Sequence, residues 1–298
     1  MPKIAALVVT FNRRKLLEKT LDLIYTQTRQ LDCVVVVDNG STDDTEDFLN
    51  AYKNKNESLE IVNTGENLGG AGGFSRGIHY IYDKFEFDWI WLMDDDAFPA
   101  KNALEKLLAF YNSQPNKLQR RIGVIQNEMI TSPEEFERLV KENREPRKKM
   151  RLFGMFVGYF IKTEVVGKIG FPDKRFFLYY DDAEYTFRAK KLGYKVFTIK
   201  GSYILHRDWA KLDRIRKLFF SKPDMAAWKV YYVFRNAFLM FQNNGFVKFF
   251  LKLYFSFDLL IWKIVKPEVV PFAKKGMDDG LNGIKGRTVE PGQERLEE

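Results

Sequence analysis

The chain has 298 residues, 45% of them hydrophobic and 15% aromatic, which is enough to bury a large core and excludes a disordered or fibrous polymer. Its single cysteine, Cys33, excludes a disulfide framework and fits a reducing, cytoplasmic compartment. The net charge of +8 is concentrated, with 12 Lys and Arg against 4 Asp and Glu between residues 201 and 266; that basicity suits an anionic substrate or membrane surface, and no nucleic-acid motif accompanies it.

The first half alternates strand and helix signals, the pattern of a doubly wound, mostly parallel α/β sheet. Ile4 to Thr10 is apolar and β-branched. It is too short to span a membrane and carries no signal-peptide cleavage pattern, so it reads as a first strand. Helical spacing follows over Arg13 to Gln27, through Leu16, Leu17, Leu21 and Ile24. The second strand, Asp32 to Val37, encloses Cys33 as a small core residue. It ends in the turn Asp38-Asn39-Gly40-Ser41, with Ser41 or Thr42 expected to cap the next helix.

A third strand near Leu59 to Asn63 leads into ENLGGAGGFSRG, Glu66 to Gly77, where five glycines fall within nine positions. Glycine lets backbone N–H groups approach a ligand closely, and a helix beginning here offers its N-terminus to an anion. The segment is neither a Walker loop nor GxGxxG with an acidic partner, so a flexible turn is the plain alternative. A helix then runs to about Lys84.

Trp89 to Pro99, WIWLMDDDAFP, is the segment on which the chain turns. Five apolar residues, the mark of a strand covered on both faces, run into Asp94, Asp95 and Asp96. Ligands of open α/β sheets lie at the carboxyl ends of the strands, and clustered carboxylates there repel one another unless a cation is near. Hard oxygen ligands suit Mg²⁺ or Mn²⁺ bridging to substrate phosphates.

Downstream, the pattern predicts a helix over Lys101 to Tyr111, a strand near Ile122 to Gln126, a charged surface helix or loop over residues 131 to 151, and a strand over Gly154 to Ile161. An aromatic strand, Phe176 to Tyr180, is expected to end in Asp181 and Asp182, followed by a helix stopped by Gly193. Acids at a helix start also complement its dipole without any further role. Lys195 to Ile199 forms a strand, and Tyr203 to Leu205 leads to His206, which faces the same crevice if it sits at a strand end. Residues 224 to 243 and Phe246 to Val265 read as aromatic helices. Lys248, Lys252, Asp258 and Lys263 argue against a membrane span in the second, leaving an interfacial helix and internal burial as equal readings. The tail after Val265, rich in Lys, Gly and Glu, reads as loose.

With VVTFNR, VVDNGSTDDT, NLGGAGGF, WLMDDDAFP and YYDDAEYTFRAKKLGY in this order, and His206 beyond, the chain resembles the family-two inverting glycosyltransferases of GT-A fold, closest to bacterial galactofuranosyl and rhamnosyl transferases. The resemblance covers about residues 4 to 240. It implies a GT-A domain over 1–210, its donor half about 1–100 and acceptor half about 101–210, and a helical C-terminal extension over 211–298. By matching motif, Thr10, Asn12, Arg13, Asp38, Asn67, Gly69, Gly70 and Asp94 border the nucleotide. Asp94, Asp96 and His206 would bind Mn²⁺ or Mg²⁺, and Asp182 would be the general base. Asp181, Trp91 and Asp95 would frame donor or acceptor sugar. Tyr232 to Asn236 is similar to an aromatic-Arg-Asn segment of polysaccharide-assembling members.

The implied reaction moves a sugar from a nucleotide-diphosphate donor, a UDP-sugar first and galactofuranose in particular, to a hydroxyl of a glycan or lipid-linked glycan. A dTDP-rhamnose donor is the alternative. Peripheral contact with the inner face of the cell membrane and a homo-oligomer are further expectations. A nucleotidyltransferase would bring its Gly-rich loop nearer the N-terminus, and an inactive sugar-binding scaffold would need no metal set paired with a base.

Overall fold

The computed structural model describes residues 1–206 and 225–296. They form two compact units: the described parts of Met1–Gly69, Gly73–Pro172 and Asp182–Ala210 in one, and of Gly70–Gly72, Asp173–Asp181 and Lys211–Glu298 in the other. The expected domain boundary at 210–211 and the basic residues between 207 and 222 lie outside the described residues.

The first unit is built on a nine-stranded sheet. β1 (Ile4–Thr10), β2 (Cys33–Asp38), β3 (Leu59–Asn63) and β4 (Trp89–Asp94) run parallel in the order β3-β2-β1-β4, joined through α1 (Arg14–Tyr25), α2 (Thr45–Lys53) and α3 (Gly69–Lys84). Every residue of β1 and β2 is buried, and the period-2 alternation of side chains divides them between two cores. Ile4, Ala6, Val8, Val34 and Val36 join Leu17, Leu21 and Ile24 of α1, whereas Ala5, Leu7, Val9, Val35 and Val37 join Phe74, Ile78 and Ile81 of α3. A Cβ on Gly73 would collide with Val9, and one on Gly77 with Leu7. Part of the glycine-rich segment therefore serves close packing of α3 on β1.

Beyond β4 the sheet is mixed. Next come β5 (Phe98–Pro99), α4 (Ala103–Asn112), α5 (Asn116–Gln119), β6 (Ile122–Ile130), α6 (Pro133–Glu142), β7 (Arg147–Met150), β8 (Tyr159–Lys162), α7 (Thr163–Ile169), α8 (Asp181–Lys191) and β9 (Lys195–Leu205). β8 pairs antiparallel with both β4 and β6, β6 runs parallel to β9, and β5 and β7 pair antiparallel with β9. The charged stretch 131–151 resolves into α6, capped by Ser132, which accepts from Glu135 N, and the exposed edge strand β7. The strand expected over Gly154 to Ile161 is confined to β8, and Lys195 to Leu205 is one strand, not two. α2 starts later than expected: Asp43, not Ser41 or Thr42, binds the first-turn Thr45 through its N–H and hydroxyl.

In the second unit, α9 (Ala227–Met240), α10 (Gly245–Val265) and α11 (Val270–Leu281) enclose a core of Val230, Phe234, Phe238, Phe255, Leu259, Ala273 and Met277. A Cβ on Gly276 would meet Tyr231 O at 2.5 Å and one on Gly280 would meet Arg235 O at 2.5 Å, so α9 and α11 approach backbone to backbone. The tail after Val265 is not loose. It contributes α11, and Val289 is buried and accepts from Tyr232 Oη at 2.7 Å.

Phe176 to Tyr180 is not a strand. A 3₁₀ turn, Lys174–Phe176, precedes Phe177, Tyr179 and Tyr180, whose φ angles are 63°, 68° and 66°. Such angles are unfavourable for bulky L-residues and persist only where surroundings dictate them. Here they are dictated by Arg235 and Asn236, both fully buried. Arg235 donates to the carbonyls of Gly286, Arg175 and Phe176, and Asn236 Nδ2 donates to those of Phe176, Leu178 and Tyr179 at 3.0, 2.7 and 3.0 Å. Replacing a buried donor costs about 1–3 kcal/mol for each carbonyl left unpaired. Asn236→Leu is therefore expected to lower stability by roughly 3 kcal/mol or more, seen as a lower urea midpoint and earlier proteolysis within residues 173–181.

Candidate active site

β4 delivers the acidic cluster. Its buried run ends at Asp94, and a turn in which Ala97 N donates to Asp94 O carries the chain into β5. Because β5 pairs antiparallel with β9, Phe98 opposite Leu205, the residues beyond that pair, Asp96 and His206, come together. His206 Nε2 lies 3.1 Å from Asp96 Oδ1, and Arg13 Nη1 lies 2.8 Å from Asp96 Oδ2. One ligand atom each of Asp94, Asp96 and His206 lie within 4.8 Å of one another.

The three aspartates have different tasks. Asp95 braces the turn: its Oδ2 accepts from Thr10 Oγ1 at 2.8 Å, and its carbonyl accepts from buried Thr20 Oγ1 at 2.6 Å. Burial, opposed by Arg13 and Thr10, pushes the Asp95 carboxyl up to about 6. Burial together with the Asp96 charge pushes Asp94, which keeps some exposure at the strand end, up to about 8. For Asp96 burial acts upward too, but the His206 hydrogen bond and the His206 and Arg13 charges outweigh it and hold the carboxyl below its ordinary range. The cluster thus carries more carboxylate than its surroundings neutralise, and a divalent cation would relieve that excess.

Beside it, the ends of β1 and β2 form a second polar patch. Asp38, buried opposite Thr10 in the strand register, accepts from Ser41 N at 2.9 Å. Asn12, at φ 54°, accepts from Thr42 N at 2.7 Å, and Asn67 Oδ1 accepts from Gly69 N at 2.9 Å. Buried Asn39 ties the two loops: it accepts from Leu68 N and donates to Gly69 O.

Asp182 lies in the first turn of α8 and accepts from Ala183 N at 2.6 Å. Burial raises its carboxyl to about 6 against the lowering effect of backbone donors at Ala183 and Phe156. Its carbonyl accepts from Thr186 Oγ1, which lies 3.1 Å from Tyr159 Oη; Tyr159 pairs with Leu92 of β4. A short buried chain of contacts therefore ties the helix carrying Asp182 to the strand carrying Asp94.

One expected site residue is placed elsewhere. Trp91 is fully buried, and its indole Nε1 donates to Asn127 Oδ1 at 2.9 Å, so it belongs to the sheet core and not to a sugar-facing surface. Gly70 and Asp181 group with the second unit, although Gly69 and Asp182 group with the first. Sequence reasoning missed Asn39, Thr20 and Thr186. The signal for Thr20 was a lone polar residue on the apolar face of α1; Asn39 was hidden in a turn that accounts for any Asn.

Residues 5–164 match the model of a family described as Glycosyl transferase family 2. The chain is 28% identical over 221 residues to galactofuranosyltransferase GlfT1 of Mycolicibacterium smegmatis, covering 68% of this chain and 70% of that protein. Among solved structures it is similar to S. aureus TarS 1-349 in complex with UDP-GlcNAc, with a TM-score of 0.61 and 18% identity over 95% of this chain and 81% of that chain. It is also similar to mannosyltransferase PcManGT from Pyrobaculum calidifontis in complex with GDP-Man and Mn²⁺, with a TM-score of 0.58 and 17% identity over 94% and 87%. At such identities the structural likenesses carry the fold.

Proposed function

The chain belongs to glycosyl transferase family 2, a glycosyltransferase of GT-A fold, and from that premise we propose that it transfers galactofuranose from UDP-galactofuranose, with inversion, to a hydroxyl of a growing cell-surface glycan, lipid-linked when it arrives. The observation that carries this reading is the convergence of Asp94, Asp96 and His206 at the carboxyl end of β4. The choice of sugar follows the galactofuranosyltransferase relative.

Two carboxyl oxygens and an imidazole nitrogen fit Mn²⁺ or Mg²⁺. When bound there, such an ion supplies a Lewis acid for the negative charge that builds on the diphosphate. Arg13, held against Asp95 and Asp96, adds a fixed positive charge at the same edge. Asp38, Asn12, Asn67 and the Gly69 turn would hold the nucleotide. Asp182 takes the proton of the acceptor hydroxyl as its oxygen bonds to the anomeric carbon and the bond to the diphosphate oxygen breaks. Its raised carboxyl suits a base working near neutrality. Leaving-group and nucleophile chemistry thus fall to separate carboxylates, and a single displacement inverts the centre.

A panel of UDP-galactofuranose, UDP-galactopyranose, UDP-glucose, UDP-N-acetylglucosamine and dTDP-rhamnose, assayed for nucleotide diphosphate release, tests the reading. Release from UDP-galactofuranose that requires Mn²⁺ or Mg²⁺ and stops with EDTA is expected. Release from dTDP-rhamnose alone would replace the sugar, and silence across the panel, with no metal-dependent nucleotide binding, would overturn the activity.

A further inference from the structure

α10 is a 21-residue helix, roughly 30 Å long at 1.5 Å per residue. Only Phe255, Asp258 and Leu259 are fully buried along it. On the opposite side Phe246, Phe249, Phe250, Leu253, Phe257, Leu260 and Ile264 are 74, 64, 51, 62, 57, 60 and 86% exposed. At 100° per residue these side chains fall within an arc of roughly 100° that holds no polar residue. Scattered exposed apolar residues need no explanation, but a continuous stripe of this length marks an interaction surface.

We propose that this stripe docks the protein on an anionic lipid bilayer, with α10 lying in the plane of the interface. The stripe is bordered on one side by exposed Lys252 and Lys263, and the whole chain carries +8. Lysines beside an apolar face of Phe and Leu are the arrangement that buries rings at the acyl boundary while ammonium groups meet phosphate headgroups. A second copy of the chain fits less well, because packing the stripe on itself would bring the border lysines and two net positive charges together. Among the described residues no helix is long and apolar enough to cross a membrane, so this mode of attachment is lying on the surface. The inference rests on the α10 stripe, its bordering lysines and the chain's positive charge, and is independent of which sugar, if any, is transferred.

The test is flotation of the full chain with vesicles of phosphatidylcholine, with and without phosphatidylglycerol, alongside its sedimentation behaviour without lipid. Co-flotation with the anionic vesicles is expected, weakening with added salt. Lys252→Gln with Lys263→Gln should lower partitioning onto anionic vesicles roughly tenfold or more and change binding to the neutral ones little. Phe249→Gln, Leu253→Gln and Phe257→Gln together should abolish flotation while leaving the thermal transition unchanged, since all three side chains are exposed. Absence of flotation with either vesicle would overturn the proposal. So would a lipid-free dimer dissolved by the same triple substitution, because a second copy would then be what covers the stripe.

Discussion

Asp182→Asn is expected to lower kcat by ~10²–10⁴-fold, the usual contribution of a positioned base, with the donor KM little changed. The amide keeps the shape and can still accept from Ala183 N, so the loss would report proton transfer and not geometry. The pH dependence follows from the raised carboxyl. Asp182 titrates near 6, so wild-type turnover should rise through about pH 6 as the carboxylate forms, and the Asn variant should lack that limb. The stability sign runs the other way. A carboxyl whose folded value lies above its unfolded one binds more protons in the folded state, so its contribution is favourable in acid and is lost as pH rises through about 6. Above that pH Asp182→Asn should therefore be at least as stable as the wild type. A variant crippled in turnover and also strongly destabilised would assign Asp182 a structural role. Normal turnover would remove it as the base.

The parts of the molecule visible in the sequence are those written in short-range patterns. Continuous apolar runs announced β1, β2 and β4, and the Asp triplet at the end of such a run announced the acidic cluster. What escaped was written in distant pairings. Nothing near Tyr159 says that β8 inserts antiparallel between β4 and β6; His206 was expected beside Asp96, but not the two-residue strand, Phe98–Pro99, that brings it there. The Phe176–Tyr180 segment has strand composition but takes positive φ because donors almost 60 positions away, at Arg235 and Asn236, capture its carbonyls. Trp91 is close to the acids in sequence, but alternate residues of a strand face opposite ways, and its buried indole is committed to Asn127. The C-terminal tail looked loose because its glycines suggested freedom, whereas Gly276 and Gly280 are small so that α11 can touch α9.

Asp96→Ala should have the larger effect on the donor side. Among the described contacts Asp96 is the carboxylate of the triplet paired with both His206, at 3.1 Å, and Arg13, at 2.8 Å, so its loss dismantles the ligand set and removes the guanidinium's closest carboxylate together. A Lewis acid on a leaving diphosphate contributes several kcal/mol, and at 1.36 kcal/mol per decade that predicts a fall of ~10³-fold or more in turnover. The residual rate should no longer respond to EDTA, and calorimetry should find the variant's nucleotide binding the same with and without Mn²⁺. The fold supplies its own control, because the turn is braced through Asp95 and not Asp96. Thr10 and Thr20 grip the Asp95 carboxylate and carbonyl, so Asp95→Ala should lose about 1–3 kcal/mol for the buried hydroxyl left without its partner, whereas Asp96→Ala, which loses its pairs with His206 and Arg13 but relieves the repulsion on Asp94, should lose less. If Asp96→Ala kept EDTA-sensitive turnover, the metal would have to sit elsewhere. If Asp95→Ala and Asp96→Ala lost stability equally, the division of labour among the three acids would be wrong.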